Sequence, residues 1–313
     1  AAAAAAAEDP LPVPVLVHSD PLLDVWYKHF GRFEKPKTNV MCKLSTPAAY
    51  ASPEAAVMTS LFTMIVDEEL IEFAYDADIA GLRFQLSADP RGLELCVFGY
   101  SHKLPMLLEK VVANVAAPAL EEAVFLRLKD KFGKSLRNFA FAQPYQHAIF
   151  NSASSLELPK WSHADRIAAL DSLTVADLRA FAVGQLLGRL KVECMVHGNA
   201  ATAEAVEIGR AVVSGLGLTQ PLFEARPASA ARVVELPAGK VVVHQSRVPN
   251  PDDNNSAIEV VLQVGPDGVH SGDGTTTATG GGGGGGGLVK EKGGGGAEEG
   301  EGGGAEEGQV SGG

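Results

Sequence analysis

Apolar residues recur at three- and four-residue steps between Ser52 and Gly81, which predicts one long amphipathic helix. Ser52 is suited to cap its start, Pro53 fits the first helical position, and Gly81 fits the position just past its end. The apolar stripe comprises Met58, Leu61, Phe62, Ile65, Val66, Leu70, Phe73 and Ala77. We therefore expect the helix to pack on a sheet through this stripe.

Two-residue alternation of apolar and polar positions predicts the strands of that sheet. It runs over residues 24–33, 39–45, 82–87, 93–100 and 190–196. The turn-forming run Asp89-Pro90-Arg91-Gly92 joins the third and fourth strands into a hairpin. Further helices are predicted over residues 104–115, 120–139, 144–156 and 202–216, and from Thr174. Strand pairs grouped with helices favour an α+β fold, a mostly antiparallel sheet packed with helices on one face.

Composition divides the chain into five parts. Residues 1–20 form a low-complexity, extended arm, 21–220 the main domain, and 221–231 a linker. Residues 232–264 open a second, similar and incomplete domain, with strands predicted over 232–236, 240–245 and 256–264. Residues 265–313 form a Gly- and Glu-rich tail, which we expect to be disordered because its few apolar side chains cannot offset its ordering entropy.

Charge and cysteine usage narrow the possible partners and compartment. The formal net charge of -12 argues against nucleic acid and anionic membranes as partners. No apolar run is long enough to span a bilayer. Cys42, Cys96 and Cys194 lie in strand-like runs without CxxC spacing, so we expect buried, reduced thiols and a reducing compartment. We expect this compartment to be the cytoplasm, with an organelle as the open alternative.

Candidate chemistry is sparse. None of the eight histidines lies four residues from another, so an HxxEH or HExxH zinc motif is absent from the sequence. Phosphate-binding loops and a GxSxG nucleophile elbow are absent as well. We therefore assign no catalytic and no metal-binding residue, and the substrate-binding residues are unknown.

Three features leave alternatives open. The carboxylates of Asp67, Glu68, Glu69 and Glu72 would suit a cation or acid-base chemistry, but such a run is also typical of the solvated face of a helix. His147 would suit a general base or a helix-start histidine with a local hydrogen bond. His197 either belongs to a site or begins a turn from a strand to a helix.

Short motifs in a fixed order resemble the third, or middle, domain of the M16 (insulinase or pitrilysin) metallopeptidase family. They are Trp26-Tyr27-Lys28, Lys35-Pro36-Lys37, Ser45–Tyr50, Glu72–Tyr75, Ala80–Leu82, Gly99-Tyr100, Ser135–Phe139, Gln143–Ala148 and His197–Asn199. The resemblance covers residues 23–264 and implies an M16-type αβ domain followed by the start of the family's fourth domain. The Gly-rich stretch departs from the family pattern.

The resemblance implies a zinc metalloendopeptidase shaped as a clamshell of four similar domains. Its amino-terminal half holds zinc through HxxEH, and its carboxy-terminal half helps to enclose peptide substrates. We therefore expect this chain to be a non-catalytic fragment that binds no cofactor and forms part of the chamber wall. Its expected partners are peptides and a zinc-containing catalytic half, in the same chain or in a separate subunit. An inactive interaction or scaffold module, and one half of a two-subunit peptidase, stay open as alternatives.

Overall fold

The computed structural model describes residues 13–29, 35–221 and 232–264. Its strands are β1 (Val15–Ser19), β2 (Leu23–His29), β3 (Lys37–Ser45), β4 (Arg83–Asp89), β5 (Gly92–Tyr100), β6 (Glu157–Leu158), β7 (Lys191–Gly198) and β8 (Arg232–Val233). Its helices are α1 (Pro53–Glu69), α2 (Ile71–Ile79), α3 (Leu104–Ala116), α4 (Glu122–Asn138), α5 (Pro144–Leu156), α6 (His163–Ser172), α7 (Val175–Phe181) and α8 (Thr202–Gly215).

Six strands form one sheet in the order β1-β2-β7-β3-β5-β4, and β6 pairs separately with β8. Within the large sheet only the β2–β7 pair is parallel, while the other neighbours are antiparallel. The predicted α+β fold with a mostly antiparallel sheet is therefore confirmed. The late strand β7 lies between β2 and β3, so the sheet joins two parts of the chain that are far apart in sequence.

Alternation along the strands places the core on one face of this sheet. In β3, Thr38, Val40, Cys42 and Leu44 are buried, whereas the residues between them are exposed. Helix α1 packs on that face, and its Leu61, Phe62, Ile65 and Val66 are fully buried. The start of α1 agrees with the sequence: the Ser52 hydroxyl accepts a hydrogen bond from the Ala55 amide at 3.2 Å, and Pro53 follows the cap.

The prediction of one helix from Ser52 to Gly81 is wrong at Leu70. There the chain leaves helical geometry (φ -96°, ψ 2°), and α1 and α2 are separate helices. Leu70 is buried, while Ile71 and Ile79 beyond it are exposed. The bend lets α1 end with Leu70 in the core while α2 turns most of its surface to solvent.

Two further corrections concern the amino-terminal arm and the segment after α5. Part of the predicted arm is β1, an edge strand paired with β2, because its Val17 side chain packs against the core. Helix α6 was not predicted, although Ser162 caps it by accepting the Asp165 amide. Its short apolar stripe ends in the buried pair Ala169 and Leu170.

The strands predicted in the carboxy-terminal segment are mostly wrong. Only Arg232–Val233 forms a strand, whereas residues 240–245 and 256–264 make no strand ladder. A strand needs a partner for its backbone groups, and the alternating apolar side chains of this segment stay exposed, with Ile258 92% and Leu262 82% accessible. The predictions for residues 1–12, 30–34, 222–231 and 265–313 lie outside the described residues.

The prediction of three reduced thiols is wrong for two of them. Cys42 and Cys194 form a disulfide between β3 and β7, and both are fully buried. They lie directly opposite each other in the antiparallel register, with 4.2 Å between their Cα atoms. Alternation showed that each faces the core, but not that these two strands are neighbours. Cys96 is a free thiol.

Candidate functional site

Glu69, in the acidic run at the end of α1, joins that helix to the loop between α3 and α4. Both carboxylate oxygens of Glu69 accept hydrogen bonds from the loop between α3 and α4, from the amides of Ala119 and Leu120 at 3.1 Å. The Asn114 side chain donates to the same carboxylate at 3.2 Å. Leu120 has a positive φ of 49°, so Glu69 holds the loop in a conformation that leucine rarely adopts.

The other carboxylates of this run point to different partners. Glu68 accepts a hydrogen bond from Arg127 of α4 at 2.7 Å. Burial of the Asp67 carboxylate raises the pKa of that group to about 6, although the residue as a whole is exposed. Glu72 lies on the exposed side of α2. These groups are not brought together around one point, which favours the interpretation as a helix face over a cation site.

His147 packs among aromatic rings at the start of α5. Its ring meets Phe139 edge-on, with 4.6 Å between the ring centroids, and His163 of α6 stacks on the same phenylalanine at 4.1 Å. The Nε2 atom of His147 is buried without a hydrogen-bond partner in the described structure, so the expected local hydrogen bond is not made there. The pKa of His163 is lowered by burial and then by the nearby Arg166 and His147.

His197 begins a turn from the sheet toward α8. Its Nδ1 lies 3.2 Å from the carbonyl oxygen of Lys28 on the neighbouring strand. Gly198 has a φ of 131°, and a Cβ there would collide with the Lys37 carbonyl. The amide of Asn199 donates to that same carbonyl at 2.9 Å. The backbone at Gly198 and Asn199 thus packs directly against the Lys37 carbonyl, which supports the interpretation of the His-Gly-Asn run as a structural turn.

Among the described residues, no group of three or more histidine, cysteine, aspartate or glutamate side chains is placed to hold a metal ion. Helix α1 carries no histidine, so it does not fit a zinc ion bound through HxxEH. No helix in the described part of the chain is long and apolar enough to cross a membrane.

The sheet face opposite the core carries an apolar row that the sequence analysis did not single out. Register places Leu16, Trp26, Met195, Met41 and Cys96 side by side across five neighbouring strands. We call this row the open-face band. Trp26 and Met41 are 40% and 41% accessible. Burial, and then the nearby Glu94, raise the pKa of the Cys96 thiol, which is therefore a poor nucleophile.

The open-face band could not be read from the sequence because it depends on strand order. Each residue lies on the solvent-facing side of its own strand, where a single apolar side chain is common and predicts no binding surface. Only the insertion of β7 between β2 and β3 aligns Trp26, Met195 and Met41 into one row. A row of this kind suits contact with apolar groups of another molecule.

Comparisons with known proteins agree with this fold. The family described as the middle or third domain of peptidase M16 matches residues 2–169. Insulin-degrading enzyme-like 1, peroxisomal, from Arabidopsis thaliana is 34% identical over 263 residues, which cover 82% of this chain and 27% of that protein. Human insulin-degrading enzyme is 32% identical over 255 residues, covering 80% of this chain and 25% of the enzyme.

Solved structures give the same assignment. The crystal structure of pitrilysin superposes with a TM-score of 0.63 at 25% identity, over 67% of this chain and 22% of that one. A peptidase M16 inactive domain from Pseudomonas fluorescens shares the fold, with a TM-score of 0.53 at 15% identity, over 70% of this chain and 54% of that one. The chain spans about a quarter of the length of the curated relatives named above. The chain belongs to the peptidase M16 family and resembles its middle or third domain.

Proposed function

We propose that this chain is a non-catalytic part of an M16 zinc metalloendopeptidase, where it forms one wall of a chamber that encloses peptides. The observation that carries the proposal is the match to the family's middle domain. The catalytic zinc would then be held by an amino-terminal half, in the same chain or in a separate subunit. The segment after β8 would be the start of the fourth domain.

The open-face band supports the wall role. Helices pack on the core face of the sheet, and the other face presents Trp26, Met41 and Met195 in one row. Methionine and tryptophan suit contact with peptides of varied sequence, because methionine is flexible and both are large and polarizable. We propose that this face looks into the chamber and contacts apolar side chains of the peptide.

The exposed valines, isoleucine and leucine of residues 240–264 support the second part of the proposal. They have no ladder partner among the described residues. The segment is nevertheless attached to the main domain: Ser152 of α5 donates to Glu259 at 2.6 Å, and Asn151 donates to Ser246 at 2.9 Å. Strands supplied by the remainder of a fourth domain would cover these apolar residues.

A cleavage assay tests the proposal. The purified chain, with added zinc, should not hydrolyse a fluorogenic peptide, but should restore chelator-sensitive cleavage to a separately produced half that contains HxxEH. Chelator-sensitive turnover by the chain alone would contradict the non-catalytic role. Failure to bind or activate any such half would favour the scaffold alternative.

Matched variants on β3 test the open-face band within the same assay. Met41→Asp should raise the KM of the reconstituted enzyme for an apolar peptide, because it puts a charge into the apolar row. Asn39→Asp adds the same charge on the same face, two residues away and outside the row, and should leave the KM nearly unchanged. An equal change in KM for the two variants would show that the open-face band does not contact the peptide.

The cytoplasmic location is also a proposal, and the disulfide makes it testable. Disulfides are rare in the cytosol, so in that compartment we expect the Cys42–Cys194 bond found in the structure to be reduced to two thiols. Acid quenching of cells, alkylation and mass spectrometry would report which form exists. A largely oxidised pair would contradict the cytoplasmic location.

A further inference from the structure

A cavity of about 330 Å³ lies where the small β6–β8 sheet meets the main domain. Residues from four distant parts of the chain line it, among them Thr46, Tyr50, Arg91, Leu158, Pro159 and Arg232. Its volume is at the lower end of the range for ligand pockets, about 300–1,000 Å³. We propose that this Arg91–Arg232 cavity binds the carboxylate at the carboxyl terminus of a peptide.

The charges of the lining carry the proposal. Two arginines face the cavity, and none of its lining residues is acidic, although the whole chain has a net charge of -12. Arg91 donates through Nε to Asp89 at 3.2 Å, which leaves the other guanidinium donors for a ligand. Arg232 is exposed and has no ion pair among the described contacts. Arginine binds carboxylates through paired, charge-assisted hydrogen bonds.

The remaining lining fits a residue attached to that carboxylate. Leu158 and Pro159 provide apolar surface, and Tyr50 contributes both a ring and a hydroxyl that can donate. A smaller neighbouring cavity of about 70 Å³ shares Arg91 but is also lined by Asp89 and Glu94. Lys43 lines it as well, so its two basic and two acidic residues balance, whereas the larger cavity has two arginines and no acidic lining residue.

One wall of the cavity exists only when the carboxy-terminal segment is docked. Arg232 pairs with Leu158 in the β6–β8 ladder, and the Val234 amide donates to the Leu156 carbonyl at 2.7 Å. A ligand that bridges Arg91 and Arg232 would therefore tie this segment to the main domain. The choice of a peptide as the ligand rests on the proposed function. The presence of two arginines in the lining of the cavity is independent of that function.

Fluorescence of Trp161 provides the test. Its ring lies 6.3 Å from that of Tyr50, centroid to centroid, and its Nε1 donates to the Tyr50 carbonyl. In a Trp26→Phe background, an N-acetylated peptide with a free carboxyl terminus should bind at least about tenfold more tightly than its carboxyl-terminal amide, the equivalent of about one charged hydrogen bond. Added salt should weaken the binding of the acid form, since it screens the attraction.

Arg91→Gln and Arg232→Gln should each remove most of the preference for the acid form. Arg83→Gln is the matched control, because Arg83 is an exposed arginine paired with Asp78 and lies outside the cavity. Equal binding of the acid and amide peptides by the unmodified site would overturn the proposal. Tighter binding of inorganic phosphate than of the acid peptide would overturn the assignment to a carboxylate. Neither result bears on the cleavage assay, because binding needs no catalytic half.

Discussion

Reducing the Cys42–Cys194 disulfide should lower the free energy of unfolding by about 5 kcal/mol, because it releases a very long loop in the unfolded chain. The two cysteines are 152 residues apart. The chain-entropy relation gives about 4.7 kcal/mol for a loop of 100 residues and rises slowly with length, so about 5 kcal/mol follows for this one. Both cysteines are fully buried in the core, so reduction should remove little packing from the folded state.

Urea unfolding of the oxidised and reduced chain, followed by circular dichroism, measures this difference directly. The Cys96→Ser variant should keep the full effect of reduction, because Cys96 takes no part in the disulfide. The double variant Cys42→Ala, Cys194→Ala should be insensitive to the reductant. A difference below about 1 kcal/mol between the oxidised and reduced forms would refute the reasoning, since it would mean that the crosslink hardly restricts the unfolded chain.

Three further predictions concern α1 and the hairpin. Glu69→Ala should cost about 2 kcal/mol of stability in urea unfolding, because the α3–α4 loop loses its charged acceptor, and Glu69→Gln should cost less. The folded-state pKa of Asp67, about 6, lies above its ordinary value of 3.8, so the folded chain holds that proton more tightly. The contribution of Asp67 to stability should be fully present below about pH 4 and be lost as the pH rises through 6. It should amount to less than about 1 kcal/mol because the residue is exposed, and comparing the melting curves of Asp67→Asn and the unmodified chain across this range isolates it. Gly92→Ala should lower stability by about 1–3 kcal/mol, because φ is 149° and the new Cβ would meet the Leu44 carbonyl, whereas Gly184→Ala, which has open space around its Cβ, should be nearly neutral.

Features that depend on neighbouring residues could be predicted from the sequence. The Ser52 cap, the alternation along β3 and the hairpin closed at Asp89 and Gly92 are all in the structure. Each follows from a local rule about caps, pleats or turns. The family resemblance added the middle-domain assignment, which the comparisons confirm.

Features that depend on which strands become neighbours could not be predicted. The Cys42–Cys194 disulfide and the open-face band both arise from the place of β7 beside β3. The cavity joins Thr46, Arg91 and Arg232, which no local pattern relates. The strand expected over residues 256–264 had a suitable alternation, but pattern alone does not supply the partner strand that a ladder requires.

The position of β7 has a consequence for how the sheet assembles while the chain is being synthesised. Ribosomes deliver the chain from the amino terminus, so β2 and β3 emerge more than 140 residues before Gly198 completes the strand that separates them. During that interval one edge of each strand has no partner, and bare edges can pair with other chains. A nascent chain stalled before residue 191 would therefore carry the central gap of the sheet as a site for chaperone binding or aggregation.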